Sequence, residues 1–386
     1  MDDLFIQSGH ASVSKHGETL CGDAYHISRR GDKLTAVLSD GLGSGVKANI
    51  LSTLTATILS TLMSRTLSLD ECVETMAVTL PMCRERKLAY STFTAAEIER
   101  GRLHLVQYDN PFAILLRDGK SVDYEKTLHF IGEKELSETT VEMRENDMLL
   151  LFSDGVTNAG IGKLSPDGWG REDLTACVER WYVPGISPQR LAAMIVNAAS
   201  TLCEDSPDDD ITVLAFQARP RRAVNVLLGP PRDAGDDNKI LRLFFAKEGA
   251  HVVCGGTTAK TVGRFLDKPV LPVEGSGSDA VPVMAQIEGV DLVTEGVLTL
   301  QRTIDLMEKA LSDGGYLSLL SDSKDGAACL AQLLIEQATD VTFYYGQAGN
   351  PGNEGSDIDF ETKTKLLSRL KELLESAGKK VRVSLC

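Results

Sequence analysis

"LSDGLGSGVKA", residues 38–48, sets one aspartate and three alternating glycines between the end of an apolar run and a segment of helical periodicity. The run before it, "KLTAVLS" (33–39), has the nearly continuous apolar character of a strand buried on both faces. With "GDAYHISRR" upstream, it reads as two strands around an Arg-Gly-Asp turn. Downstream, Val46, Ile50, Leu54, Ile58 and Leu62 recur at four-residue steps and make one face of a helix over 46–64, whose other positions are mostly Ser and Thr.

A strand, a glycine turn and a helix suit two different chemistries. "GSGVKA" (43–48) satisfies the G-x-G-x-x-A pattern of a dinucleotide fold. Against that, the charge of Asp40 at the strand end repels a pyrophosphate, and the second strand with an acidic end, required about 20 residues on, is replaced by more helix. The metal reading draws on a repetition: acidic residues flank apolar strands three more times, in "GDAY" (22–25), "LFSDGV" (151–156) and "DDDITV" (208–213). One Asp-Gly after a strand is ordinarily a turn. If four such strand ends converge, their carboxylates repel one another unless a cation lies among them. Carboxylate, carbonyl and water oxygens select hard cations such as Mg2+ or Mn2+, and a glycine lets a carbonyl approach without a Cβ in the way.

Between 88 and 126 the period shortens to two, and "YSTFTAAEIE", "RLHLVQYDN", "FAILLRDG" and "SVDYE" read as four consecutive antiparallel strands. A helix is expected over 69–86 and another near 187–203. "DMLLLFSDG" (147–155) and "ITVLAFQA" (211–218) are further strands. The basic, Pro-containing "RPRR" (219–222) reads as a linker. Beyond it, "AVNVLLGPP", "AHVVCGG", "VDLVTEG" and "DVTFYYG" are short apolar strands between helical segments, the pattern of a parallel α/β module.

Composition narrows the function. A net charge of -15 over 386 residues disfavours nucleic acid and anionic membrane as partners. The N-terminus lacks the basic start and apolar core of a signal peptide, and no apolar run approaches the 18 residues of a spanning helix, so a cytoplasmic location is expected. The eight cysteines show no C-x-x-C pair and no His at zinc spacing, which predicts neither disulfides nor a zinc site. His10, His16, His26, His104 and His129 fall on strand or loop patterns and read as hydrogen-bonded or surface residues.

Six segments in order, "GDAYHI" (22–27), "LSDGLGSGVKA" (38–48), "STFTAAEI" (91–98), "DNPFAIL" (109–115), "LLLFSDGVTNA" (149–159) and "DDDITVL" (208–214), resemble the PPM (type 2C) metal-dependent protein phosphatases, specifically the bacterial branch typified by SpoIIE. The resemblance covers about residues 1–218 and implies an α-β-β-α sandwich of two antiparallel sheets with two Mn2+ or Mg2+ ions at one end. By motif position it implies that Asp40 bridges both ions with the Gly41 carbonyl on one of them, that Asp154 and Asp209 complete the other, and that Asp23 binds at the edge through water. It implies Asp40, Asp154 and Asp209 as the catalytic acids, acting through metal-activated water that attacks phosphorus in line on a phosphoserine or phosphothreonine. Asp209 fits the motif of Asp, then Asp or Asn, apolar residue, Thr; Asp210 takes the second place, and Asp208 is solvated. Where eukaryotic members carry His after the Asp-Gly, this chain has Leu42, which removes one source of the leaving-group proton.

The family further implies a phosphoprotein substrate of the anti-sigma-factor antagonist type in bacterial partner switching, with the 46–64 helix as a coupling element or as ordinary packing. The alternative is a weakly active or noncatalytic signalling scaffold. Residues 223–386 are not covered by the resemblance and read as a regulatory, sensor or docking domain. There "CGGTTAKTVGRFL" (254–266) offers either an anion site using Thr257, Thr258 and Lys260 or a Gly-Gly turn with a Thr N-cap. "VTEGVLTLQRTIDLMEKAL" (293–311) repeats the arrangement, so a small ligand or a protein at this domain stays open, as does a homodimer.

Overall fold

The Arg-Gly-Asp turn forms a tight hairpin. Strand β2 (Asp23–Arg30) pairs antiparallel with β3 (Lys33–Gly41), Arg30 opposite Lys33, and Gly31 takes φ +64° in the two-residue loop. This computed structural model describes residues 4–63, 71, 75, 91–131, 134–230, 237–277, 282–312, 320, 323, 325–346 and 356–386. The chain divides into two units, Met1–Pro220 and Arg221–Cys386. The helix expected over 69–86 lies almost wholly outside the described residues.

In the first unit, β2 and β3 continue through β4 (Ser91–Glu99) and β5 (Arg102–Tyr108). The other sheet holds β1 (Leu4–Val13), β6 (Ile114–Arg117) and β7 (Lys120–Ser121). Two strands absent from the sequence reading, β8 (Thr127–Ile131) and β9 (Lys134–Glu142), extend the first sheet. Strands β10 (Met148–Phe152) and β11 (Ile211–Pro220) complete the second. The orders are β2-β3-β4-β5-β9-β8 and β1-β11-β10-β6-β7. The four strands expected as one meander therefore divide, β4 and β5 in one sheet, β6 and β7 in the other, and only Lys120–Ser121 of the fourth is a strand. Asn110 and Pro111 lie in the crossing between the two sheets.

The sheets face each other across Leu34, Leu38, Ile98 and Leu105 from one side and Leu115, Leu151, Leu214 and Phe216 from the other. Each such side chain contributes about 1.5–3 kcal/mol on burial. Outside the five-stranded sheet lie α2 (Asp154–Thr157), α3 (Arg171–Trp181) and α4 (Pro188–Leu202), with Leu174, Leu191 and Ile195 packed against the sheet. Pro188 starts α4 at a position where its missing N–H costs nothing, and the Ser187 hydroxyl accepts from the Arg190 amide.

Helix α1 (Gly45–Met63) covers the six-stranded sheet, but with the opposite face from the one its apolar steps suggest. Ala48, Ser52, Thr55, Ala56, Leu59, Ser60 and Met63 are buried, while Val46, Ile50, Leu54 and Ile58 are 61, 52, 52 and 43% exposed. Small side chains let the helix sit close to the sheet, and the hydroxyls of Ser52 and Ser60 donate to the carbonyls of Asn49 and Thr57 in the helix itself. With a mean hydropathy of 1.2 over an 18-residue window, α1 also meets the length and composition of a membrane-crossing helix, contrary to the reading of the sequence. It is instead a packed layer of the sandwich.

The boundary between the two units falls between Pro220 and Arg221, inside the expected 219–222 linker, with Arg219 and Pro220 as the end of β11, paired with Phe5 and Leu4. Arg221 and Arg222 belong to the second unit, where Arg221 pairs with Asp340 at 3.1 Å and the Arg222 carbonyl accepts from the Thr339 amide.

The second unit is built on β12 (Ala223–Leu228), β13 (Ala250–Cys254), β16 (Leu292–Thr294), β17 (Asp340–Tyr345) and β18 (Lys380–Leu385), all parallel in the order β16-β13-β12-β17-β18. This is the order of a doubly wound sheet. Two short antiparallel pieces, β14 (Leu271–Pro272) and β15 (Ala285–Gln286), extend one edge. The helices are α5 (Asp237–Phe245), α6 (Gly256–Leu266), α7 (Val297–Ser312), α8 (Gly326–Gln332) continuing into a wider turn over Leu333–Gln337, and α9 (Ser356–Ser376). No threonine caps α6: its N-cap is Gly255 at φ +113°, without a side-chain bond, and Thr258 is buried.

Candidate metal centre

Antiparallel pairing sets Asp23 of β2 directly opposite Asp40 of β3. Asp154 opens α2 just after β10, and Asp209 and Asp210 immediately precede β11, the neighbour of β10 in the other sheet. The two Ser-Asp-Gly turns thus come from opposite sheets and meet at one end of the sandwich.

Electrostatics show how closely they meet. Burial pushes the Asp40 carboxyl up to about 9, and the charges of Asp23, Asp154 and Asp209 add to it. The carboxyl of Asp40 faces that of Asp154, with which it can share a proton. Asp23, 6% exposed, is pushed up to about 7, first by burial and then by Asp210 and Asp209, against hydrogen bonds from Thr212 and Ser153 that favour its charged form. The Asp209 carboxyl is raised by burial and by Asp154. Acids that raise one another in this way form a site of unbalanced negative charge.

Two oxygens in the cluster, Oδ2 of Asp23 and Oδ1 of Asp154, are buried without a hydrogen-bond partner. A buried carboxylate oxygen left so is costly, and a cation relieves it. Among the described residues, no three His, Cys, Asp or Glu side chains close tightly enough to grip an ion unaided. A hard cation draws its remaining ligands from carbonyls and water. The donor set therefore fits a divalent cation. Asp23, Asp40, Gly41, Asp154 and Asp209 are all brought to this end of the sandwich; Asp208 points away, 74% exposed and paired with Lys163 at 2.7 Å.

The glycines of the two turns serve packing. A Cβ on Gly41 would lie 2.1 Å from the Ala48 carbonyl oxygen, so its absence admits the first turns of α1. A Cβ on Gly155 would lie 2.1 Å from the Asp210 carbonyl oxygen, so its absence admits the start of β11. Gly155→Ala is expected to destabilise the metal-free protein by about 1–3 kcal/mol, the usual cost of forcing atoms into a packed site. Urea unfolding measures this, and an unchanged midpoint would contradict the packing role.

The sequence reading missed Asp109, which follows β5 at φ +54° and has its carboxyl raised by burial and by Asp154. It also missed the role of Asp210, both of whose oxygens accept main-chain amides, from Lys15 at 3.0 Å and Gly22 at 2.8 Å. No histidine enters the cluster: His10 stacks near Tyr25, and His104 and His129 both meet Glu138.

Residues 30–219 match the family model described as Stage II sporulation protein E (SpoIIE). Residues 30–219 are thus a SpoIIE-family domain of PP2C type. Among solved structures, the PP2C phosphatase domain with a fragment of the regulatory domain of SpoIIE from Bacillus subtilis superposes with a TM-score of 0.50 at 19% identity, over 57% of this chain and 65% of that one. The chain thus spans about 65% of that neighbour. A second crystal form of the Bacillus subtilis SpoIIE phosphatase domain matches with TM-score 0.45, 18% identity and coverages of 57% and 95%. The RsbU and RsbW domains of a Mycobacterium tuberculosis protein match with TM-score 0.47, 17% identity and coverages of 63% and 70%. No curated protein matches the chain by sequence.

Proposed function

We propose that the first unit is a metal-dependent phosphoserine/phosphothreonine protein phosphatase of bacterial regulatory signalling, with a phosphoprotein of the anti-sigma-factor antagonist type as its substrate. The observation that carries this reading is the convergence of Asp23, Asp40, Asp154 and Asp209 on one end of the sandwich, with Oδ2 of Asp23 and Oδ1 of Asp154 buried without a hydrogen-bond partner, in a chain whose residues 30–219 match the SpoIIE family. Asp40, the Gly41 carbonyl, Asp23, Asp154 and Asp209 would hold the divalent cofactor, two Mn2+ or Mg2+ ions. Bound there, the ions supply Lewis-acid stabilisation of phosphoryl oxygens and lower the pKa of water.

The chain's own contribution is to hold these oxygens in place. Ser91 fixes the turn from beneath, its hydroxyl donating to the Asp40 carbonyl at 2.9 Å, and Ser153 ties the second turn to β11 by accepting the Thr212 amide at 3.0 Å. Leu42 provides no proton, so protonation of the leaving alkoxide falls to solvent or to another residue. That absence favours the second reading, a scaffold whose slow first unit serves a sensor or docking role of residues 221–386.

Hydrolysis of p-nitrophenyl phosphate and of phosphoserine, phosphothreonine and phosphotyrosine peptides separates the two. Turnover of the first three, lost in EDTA and restored by Mn2+, supports the phosphatase. Absence of turnover at saturating Mn2+ supports the scaffold, and turnover that survives EDTA contradicts the metal reading.

A further inference from the structure

We propose that the Cys21–Gly22 peptide is a positioning element that fixes the separation of the two halves of the metal centre. The inference rests on the metal-centre reading above and concerns residues outside the expected ligand set. Three hydrogen bonds converge on these two residues. The Gly22 amide donates to Asp210 Oδ2 at 2.8 Å, reaching the sheet that carries Asp209. The Gly22 carbonyl accepts from the Gly41 amide at 3.3 Å, reaching the turn that carries Asp40. The Cys21 carbonyl accepts from Asn49 Nδ2 at 2.7 Å, reaching α1. Asp210 is held from its other oxygen by the Lys15 amide at 3.0 Å, and the His16 amide donates to the Pro207 carbonyl at 2.8 Å, so the 15–22 segment is fastened along its length to the approach to β11.

Asp23 follows Gly22 directly in the chain. One peptide thus touches the neighbours of Asp40 and Asp209 and bears Asp23 on its own end. Asp210 is 3% exposed with both oxygens engaged by main-chain amides, so it acts as a clamp and not as a ligand. A side chain at 22 would crowd the clamp: a Cβ there would stand 2.7 Å from Asp210 Oδ2 and 3.1 Å from the Ala48 Cβ, so Asp210 or α1 would have to shift. Carboxylates that repel one another need such restraint to stay at a spacing a cation can bridge. Residues that orient ligands in this way change metal affinity by about 10–100-fold when altered.

The test is Mn2+ titration calorimetry of the full chain, together with the rise in melting temperature that Mn2+ produces over EDTA. Gly22→Ala is expected to weaken Mn2+ binding by about tenfold or more and to shrink that rise. Asn49→Ala, which removes one bond and adds no atoms, is expected to weaken binding several-fold and decides the matter if Gly22→Ala fails to fold. Gln189→Ala serves as control, because Gln189 makes two hydrogen bonds between α4 and the His10 main chain. It should lower the melting temperature equally with and without Mn2+ and leave affinity within about twofold, as a loss of general stability does. Wild-type affinity in both Gly22→Ala and Asn49→Ala overturns the positioning role while leaving the metal centre intact. A wild-type protein that binds no Mn2+ overturns the metal centre itself, and the positioning role with it.

Discussion

Asp40→Asn is expected to lower Mn2+-dependent phosphatase turnover by about three orders of magnitude and, in the same protein, to raise the melting temperature measured in EDTA. The loss follows from removing the carboxylate expected between the two ions, whose stabilisation of transition-state charge is worth several kcal/mol, and each 1.36 kcal/mol is a factor of ten in rate. The gain in stability follows from burial. Asp40 is held in a poorly solvated site among Asp23, Asp154 and Asp209 and must take up a proton for the metal-free chain to fold near neutral pH; an amide of the same shape removes that cost. The two effects have opposite signs, which separates a site residue from one that merely supports the fold. Steady-state kinetics and thermal melts on one preparation measure both; retained turnover, or a lower melting temperature in EDTA, would contradict the assignment.

The second large effect is on pH. The folded-state pKa of Asp23 is raised to about 7 and that of Asp40 to about 9. Ordinary carboxyls in the unfolded chain titrate near about 4. For groups raised in this way, the folded state binds more protons than the unfolded state between the two values, so stability falls as pH rises. With respect to these groups the metal-free protein is therefore expected to be most stable below about pH 4, and to lose stability as pH rises from there to about 7 through Asp23 and to about 9 through Asp40. The charges that face them are Asp154, Asp209 and Asp210, and the Lys15 charge acts on Asp209 against them. For a unit of this size 1 kcal/mol corresponds to roughly 2–4 °C, so the fall is expected to span several degrees. Mn2+ should flatten the profile, because ligands must be deprotonated to bind. Melts in EDTA and in Mn2+ at pH 5, 7 and 9 measure it, and Asp40→Asn isolates the site from the general effect of the chain's negative charge. Equal slopes for wild type and variant in EDTA would contradict the account.

Much of the site was legible because its residues lie at strand ends. A buried apolar run followed by Ser-Asp-Gly is a local pattern, and finding it at 39–41 and again at 153–155 placed two carboxylates at comparable points of two strands before any contact was known. The hairpin of β2 and β3 then put Asp23 across from Asp40 by register alone. What escaped the sequence depends on tertiary contact. Nothing local distinguishes Asp210 from Asp209, yet one clamps main-chain amides of Lys15 and Gly22 while the other faces the acids.

The face of α1 was misread because steps of four advance about 40° per step around a helix, so Val46 to Leu62 trace a spiral and not a stripe along the axis. Its docking is decided by how closely Ala48, Ser52 and Ala56 let the backbone approach β3, and that preference for small residues is invisible to a hydrophobicity pattern. The glycines at 41 and 155 had a structural use of the same kind, each admitting a neighbouring backbone. In the second unit, the four apolar strands were visible, but their order around β12 is a matter of crossover connections, and the last strand, "KVRVSL", is mostly exposed and gives no buried-run signal.

The most direct test of the central claim is an anomalous difference map from crystals grown with Mn2+. The account predicts peaks among Asp23, Asp40, Gly41, Asp154 and Asp209, at the end of the sandwich where the two Ser-Asp-Gly turns meet, and their loss in Asp40→Asn. A map with no peak there, or with manganese bound only elsewhere on the acidic surface, would contradict it.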